Sequence, residues 1–445
     1  MLMATKRRLK KRDIALVLIL AGALGLRLLW VLHAQTTPAR IADPGWYFAV
    51  ASNLAGGHGF TVDIVGDEWA AGPGGSPTTL WPPGWPLSLA AAFALFGTSL
   101  TVAKLLNVIA GVVTIYLVYR IGEMSFGRAS GLFGAGLLAF YPNLIFWSST
   151  LYSDIYFTMW FALSIFLLLR TKDWRGREGL VGSSLLGLVV GAAVLTRGQG
   201  LMLPLFAFLF WSMFWKWQYA MTRTSILLVA AAVVILPWSV RNVSTFHAPI
   251  LVSANDGFNL RIGHSPYATG RFVAPHDLWA LEPGISYTER EALFSREGRK
   301  LAIEYAVGHP LREIELSAKK LYYLIIPDSD ALDWANYAPT AVAPAGVRNI
   351  LTWVSDGYYW SMLLLSIVGL VSFRRLKLVR WMTIVVVTWV AFHVIFFGEP
   401  RFHMPLLTLM VLLAAMGVSE LRRIWVGGEA QRVPATVRSA RKRRR

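Results

Sequence analysis

Four charged residues fall where an apolar stretch of the chain begins or ends, and a fifth, Asp43, lies ten residues beyond one, positions that suit chemistry at a membrane boundary. Asp43 follows the stretch 14–33, Asp154 opens the stretch 153–170, and Arg197, Arg241 and Arg401 flank others. A carboxylate so placed can take a proton from a hydroxyl, and a guanidinium can hold a phosphate through paired N–H donors. Plainer readings compete. Asp43 precedes Pro44, which suits a helix N-cap followed by Pro at the first helical position. Asp154 suits a cap behind Ser153, and arginines at such ends commonly extend to lipid phosphates. Residue type and position leave both readings open.

Other chemistry-bearing residues point to less. The chain has no Cys, which rules out disulfides, zinc-thiolate sites and a cysteine nucleophile. His58 and His264 lie in glycine-containing loops and read as turn or headgroup contacts rather than metal ligands. Asp63, Asp67 and Glu68 read as a solvated acidic face rather than a cation site. Asn242-Val243-Ser244 matches a glycosylation sequon, a motif short enough to arise by chance. Arg27, inside the first apolar stretch, is expected to extend to the outer interface.

The elements that must position these residues are membrane spans. Of 445 residues 55% are hydrophobic and only 15% charged, too little charge to coat a soluble protein of this size. Ten stretches are long and apolar enough to cross a bilayer or nearly so: 14–33, 100–120, 129–146, 153–170, 179–196, 200–217, 224–240, 349–371, 378–397 and 403–421. The first lacks a small-residue cleavage site and is expected to be retained. The net charge of +18 sits largely in the tails: a surplus of five in 1–13 and of seven in 420–445. Such tails hold the cytoplasmic side by attraction to anionic lipid, and no folded basic surface argues for nucleic acid. Loops 120–128, 170–178, 216–223 and 374–380 carry twelve Lys/Arg against three acids, whereas 147–153, 197–199 and 398–402 are short and nearly uncharged. With both termini inside, this alternation holds if 85–97, at 13 residues, lies at the membrane as a short helix without crossing.

The chain therefore reads as one all-α membrane domain spanning 1–445, with two long outward loops, 34–99 and 241–348, and a basic cytoplasmic tail at 422–445. Elaborate loops on one face suggest a site there. In the second loop 253–259 reads as a turn, Ser286 and Glu289 as a capping box for a helix ending at Gly308, and 328–348 as a loop. Leu311, Ile314, Ala318, Leu321 and Ile325 recur at helical spacing, so this helix is expected to lie along the membrane surface. Trp46, Tyr47, Trp81 and Trp85 read as interface anchors or as a wall on which a sugar could stack.

Taken in order, several short motifs resemble the GT-C glycosyltransferases, in particular the superfamily of polyprenyl-phosphate-mannose protein mannosyltransferases and aminoarabinose lipid A transferases. They are Asp43 with Tyr47, Ala51 and Leu54; Pro82-Pro83-Gly84-Trp85-Pro86-Leu87; Phe96-Gly97-Thr98-Ser99; and Tyr141-Pro142 with Ser153-Asp154. Leu195-Thr196-Arg197, Pro237-Trp238 with Arg241-Asn242, His309-Pro310, and Arg401-Phe402 with Pro405 continue the series. The resemblance covers most of the chain. It implies a GT-C fold, Asp43 as catalytic base with Asp154 as a second acidic position, and Arg197, Arg241 and Arg401 as contacts for the carrier phosphate. Tyr47 and Trp85 are the expected sugar contacts. The family often has an acidic pair after the first span, whereas Pro44 follows Asp43 here.

The implied function is an inverting transfer of a sugar from a polyprenyl-phosphate carrier to an acceptor hydroxyl at the outer face of the cell (inner or plasma) membrane. The acceptor, whether glycan, lipid or protein, is left open, as is a divalent cation, and no metal ligand is assigned. A transporter or flippase for a lipid-linked sugar is the alternative. It would favour ionisable or broken-helix sites at mid-membrane and an internal repeat, and the sequence shows no repeat. A non-catalytic scaffold would not need Asp43 and the arginines in one place.

Overall fold

The computed structural model describes residues 2–34, 42–65, 68–72, 74–279, 285–326, 328–336 and 343–432, with side chains between 14 and 426. Asp67 and the tail beyond 432 lie outside the described residues. The helices are α1 (Leu2–His33), α2 (Asp43–Ala55), α3 (Gly84–Phe96), α4 (Leu100–Phe126), α5 (Arg128–Ala139), α6 (Pro142–Trp147), α7 (Asp154–Arg170), α8 (Gly176–Thr196) and α9 (Leu203–Phe214). They continue with α10 (Trp217–Phe246), α11 (Asp256–Gly263), α12 (His276–Trp279), α13 (Tyr287–Gly308), α14 (Pro310–Ile325), α15 (Asp330–Asn336), α16 (Ala345–Phe373), α17 (Lys377–Ile395) and α18 (Met404–Arg432). Tight 3-10 turns at Gly198–Met202 and Pro400–His403 lead into α9 and α18.

All ten apolar stretches are helical, and seven helices among the described residues are long and apolar enough to cross a membrane. These lie at Ile14–His33, Leu100–Phe126, Gly176–Thr196, Trp217–Phe246, Ala345–Phe373, Lys377–Ile395 and Pro400–Val426. The other three are shorter for visible reasons. The stretch 129–146 is split into α5 and α6, because Pro142 holds Tyr141 in an extended conformation. α7 has 17 residues between Asp154 and Arg170, and α9 loses its first turn to the 3-10 segment. Residues 84–96 form the expected short helix of 13 residues.

Small residues set how closely these helices approach. A Cβ on Gly369 of α16 would lie 2.0 Å from the Leu413 carbonyl of α18, and one on Gly417 would lie 2.1 Å from the Leu365 carbonyl. Only glycine permits that backbone contact. α18 is the central staff of the bundle: every residue from Met404 to Met416 is buried. Its neighbours bring Trp389, Trp381, Phe161 and Phe206 into the same core.

Several details depart from the expectations. The fold is not purely helical: β1 (Thr61–Val65), β2 (Glu68–Ala70) and β3 (Ser76–Pro77) form an antiparallel sheet in the order β2-β1-β3. Asp63 is part of its fabric rather than a solvated acid, accepting from the Ser76 amide at 3.1 Å and the Ser76 hydroxyl at 3.0 Å. The turn at 253–259 passes into α11 at Asp256, and 328–348 contains α15 and the start of α16. Arg27 does not reach the interface. It is 1% exposed and donates to the carbonyls of Ala139 (3.0 Å) and Leu138 (3.4 Å), which the end of α5 leaves without helical partners. The sequon asparagine Asn242 is fully buried, its amide donating to the Ile250 carbonyl at 3.2 Å. The capping box forms as expected, with Glu289 donating its amide to Ser286 Oγ and accepting the Ser286 amide at 3.2 Å. α14 is strongly amphipathic and leaves Leu311, Ile314 and Leu321 uncovered by protein.

The two long loops lock together above the helix ends. Glu291 of α13, 2% exposed, accepts from Thr78 Oγ1 at 2.5 Å and from the Thr79 amide at 2.6 Å. Burial pushes its carboxyl up to about 7, because the hydrogen bonds offset only part of the lost hydration. Arg241, at the far end of α10, donates to the Thr78 carbonyl at 2.9 Å and the Phe60 carbonyl at 3.2 Å.

Candidate active site where helix ends converge

Four of the singled-out charged residues meet in one place, brought there by separate elements. Asp43 is the first residue of α2, Asp154 the first of α7, Arg197 follows α8, and Arg401 sits in the turn before α18. In each case the chain leaves a helix or starts one at the same end of the bundle, so alternate connections deliver their polar residues to a common region.

The helix-cap reading of Asp43 does not hold. Ala42 occupies the N-cap and no side chain caps α2; of the helix amides the Asp43 carboxylate meets only its own. It faces Arg401 instead, with Asp43 Oδ2 3.6 Å from Arg401 Nη1. Asp43 remains 22% exposed at its side chain. Burial pushes its carboxyl above the ordinary range; Arg401 and Arg197 pull the other way, and nearby Asp154 adds to the rise. The result is a carboxylate more basic than usual that is not fully enclosed.

Asp154 has a different character. It is 3% exposed and takes a hydrogen bond from Arg197 Nη1 at 2.7 Å. The same nitrogen donates to Ser153 Oγ at 3.2 Å, and Arg197 Nε donates to Gln199 Oε1 at 3.2 Å. Tyr47, from the second turn of α2, sits 3.3 Å from Ser153 Oγ, tying α2 to this pair. Burial, then the Asp43 charge, raises the Tyr47 hydroxyl's pKa and keeps it protonated.

Arg401 is the least satisfied cation of the group. It is 8% exposed, yet its Nε and Nη1 make no hydrogen bond among the described residues. Aromatic rings hold it: its guanidinium carbon is 4.8 Å from the Tyr152 ring centre, 5.6 Å from Trp334 and 5.4 Å from Phe402. A buried guanidinium with free donors beside a half-open carboxylate is arranged to receive an anion.

Arg241 and Trp85 stand apart from this group. Arg241 is committed to the carbonyls of Thr78 and Phe60. Trp85 is fully buried, its indole N–H donating to the Leu151 carbonyl at 2.8 Å, which braces the loop carrying Ser153 and Asp154. His58 lies at the turn after α2, and His264 pairs with Glu313 at 2.7 Å. Among the described residues no three His, Asp or Glu side chains gather to hold a metal. Sequence reasoning missed Tyr152 and Trp334, the rings around Arg401. Tyr152 adjoins the Ser153-Asp154 motif and could have been found; Trp334 lay in a segment read as loop.

Known proteins share this fold. By fold the class is a GT-C membrane protein. The apo oligosaccharyltransferase of Archaeoglobus fulgidus matches with a TM-score of 0.57 and 16% identity over 94% of this chain and 52% of that one. The same archaeal enzyme, AglB, in complex with an inhibitory peptide and a dolichol-phosphate, matches with a TM-score of 0.53 and 14% identity over 95% and 52%. ArnT from Cupriavidus metallidurans bound to undecaprenyl phosphate matches with a TM-score of 0.43 and 16% identity over 94% and 80%. The chain thus spans about half the length of the archaeal enzyme. At the family level, residues 81–240 match the dolichyl-phosphate-mannose-protein mannosyltransferase family. No curated protein matches the chain in sequence.

Proposed function

We propose that the protein is an inverting glycosyltransferase that moves a sugar from a polyprenyl-phosphate carrier to an acceptor hydroxyl at the outer face of the membrane. The observation that carries this reading is the meeting of Asp43 with Arg401, whose Nε and Nη1 make no hydrogen bond among the described residues. The family match over 81–240 and the solved AglB complex with a dolichol-phosphate support it.

In this reading the donor phosphate sits against Arg401, and Arg197 adds a second positive charge from its place on Asp154. Asp43 takes the proton of the acceptor hydroxyl as the oxygen attacks the anomeric carbon. The bond from that carbon to the phosphate oxygen breaks, and the electron pair leaves with the carrier phosphate, where the guanidiniums meet the growing charge. One displacement inverts the anomeric centre, and no covalent enzyme intermediate forms. Tyr47 orders the cluster through Ser153. Arg241 and Trp85 act by holding the loops in place. The prenyl tail remains in lipid while the phosphate meets the helix ends, which fits a site at the membrane boundary.

The test is transfer from a panel of radiolabelled polyprenyl-phosphate sugars to an envelope extract, wild type against Asp43→Asn. The expected loss is about 10²–10⁴-fold with the fold retained. Transfer that survives in the folded variant would move the base to another carboxylate, Asp154 first. Failure of the wild type with every donor would turn attention to lipid flipping in vesicles.

A further inference from the structure

Behind Arg401 lies a second buried polar cluster that the proposed transfer does not use. The turn Pro400–His403 carries Arg401 on one side and His403 two residues later. His403 Nδ1 donates to the Leu324 carbonyl at 2.8 Å, and its Nε2 lies 3.2 Å from Asp328 Oδ1, a close approach that is not aligned as a hydrogen bond. Asp328, 2% exposed, also accepts from the Tyr141 hydroxyl and from Asn143 Nδ2 at 2.7 Å. Asn143 reaches Asp330 Oδ1 at 2.9 Å and accepts the Ala331 amide at 3.1 Å. Ser355 of α16 donates to the Asp328 carbonyl at 2.6 Å, and the Tyr359 ring stacks on His403 at 5.1 Å with a 12° tilt.

We propose that the Asp328–His403 pair is a positioning device for Arg401. The pair reaches the guanidinium by two routes. Through His403 it fixes the turn on which Arg401 sits. Through Asp328, Asp330 and Asn143 it fixes the start of α15, whose Trp334 lies 5.6 Å from the Arg401 guanidinium. Arg401 needs such support, because among the described residues its Nε and Nη1 are unbonded, and a 3.6 Å approach to Asp43 and the faces of rings help to hold it. A buried ion pair is a poor way to gain stability, since well-packed apolar side chains of similar volume commonly serve as well. The directional bonds that flank the pair, from His403 Nδ1 to the Leu324 carbonyl and from Tyr141 and Asn143 to Asp328, are suited to fixing a turn to within a fraction of an ångström, which is what a phosphate-binding guanidinium requires. Asp328 and His403 are therefore positioning residues: they touch no substrate and act through Arg401.

This proposal rests on the reading of Arg401 as the carrier-phosphate contact, and the experiment separates the two. Purified full-length protein in detergent is titrated with a polyprenyl phosphate, and the dissociation constant is read for wild type, Arg401→Gln, Asp328→Asn and the double variant. Asp328→Asn is expected to weaken binding about tenfold, the scale on which supporting residues act on a binding centre. Arg401→Gln is expected to weaken it at least as much. The double variant should bind no more weakly than Arg401→Gln alone, because the effect of Asp328 passes through Arg401. Multiplying losses in the double variant, or wild-type affinity in a folded Asp328→Asn, would overturn the positioning role while leaving the phosphate contact intact. Wild-type affinity in Arg401→Gln would overturn the phosphate reading itself, and the positioning role with it. Should Asp328→Asn not fold, His403→Gln runs the same cycle from the other side of the pair.

Discussion

Asp43 combines two properties that usually conflict: burial raises its pKa, yet its carboxylate stays partly accessible and close to a cation. In its proposed role as base it must be ionised before it can accept a proton, so activity is expected to fall as pH drops through its pKa. Because burial lifts that pKa, the acidic limb of kcat/KM is expected above the ordinary value of 3.8. The pH–rate profile of the wild type measures it. The residual activity of Asp43→Asn should lack the limb, and a limb unchanged in that variant would assign it to another group. At this scale much of the site was legible. Asp154, Arg197 and Arg401 could be singled out because charge at the edge of an apolar stretch is conspicuous, whereas Asp43 stood out through the family resemblance. Their pairing was not legible, because nothing in the sequence says that Arg197 binds Asp154 and leaves Arg401 to Asp43. Nor could the commitments of Arg241 and Trp85 to backbone carbonyls be read, since those acceptors belong to every residue type alike.

Among the elements, the apolar stretches gave their own positions away, and the connections did not. Hydropathy depends on composition, so all ten apolar stretches could be found as helical; the break before Tyr141-Pro142 and the short α15 depend on local backbone geometry and tertiary partners. The contact between the first loop and α13 is of the second kind. Glu291 is an ordinary carboxylate in sequence, yet Thr78 and Thr79 meet it across more than two hundred residues. Folded, it holds its proton up to about pH 7; unfolded, it releases it near 4.5. Between these values the folded state binds more protons, so stability falls as pH rises through the window, by about 3 kcal/mol at most. Glu291→Gln keeps a neutral group of the same shape, and its amide can donate to Thr78 Oγ1 while its oxygen accepts the Thr79 amide. The variant is expected to match the wild type at about pH 5 and to be more stable at about pH 8. Hydrogen exchange at the Thr79 amide reads this locally, and an equal pH dependence in both proteins would refute the account.

At the scale of the whole molecule the candidate site and the basic short connections 170–178 and 374–380 occupy opposite ends of their helices. α7 starts at Asp154 in the site and runs 17 residues to Arg170, about 25 Å at the rise of an α-helix. α8 returns from Gly176 to Arg197 beside Asp154. At the far end Lys172 and Lys377 lie 5.1 Å and 5.7 Å from the same Phe214 ring, and Lys377 donates to the Met213 carbonyl at 3.1 Å, so three separate connections gather there. Positive charge concentrated at one end favours that end facing the cytoplasm, which would put Asp43 and Arg401 outside. The natural absence of Cys makes the orientation directly testable, because a single introduced thiol is the only one to react. Thr98→Cys, exposed between α3 and α4, is expected to be labelled by an impermeant maleimide in intact cells. Asp173→Cys, exposed at the basic end, should be labelled only after lysis. The reverse pattern would place the site inside, where the donor sugar would have to be used before its carrier is flipped, and would overturn the outer-face assignment while leaving the cluster's chemistry untouched.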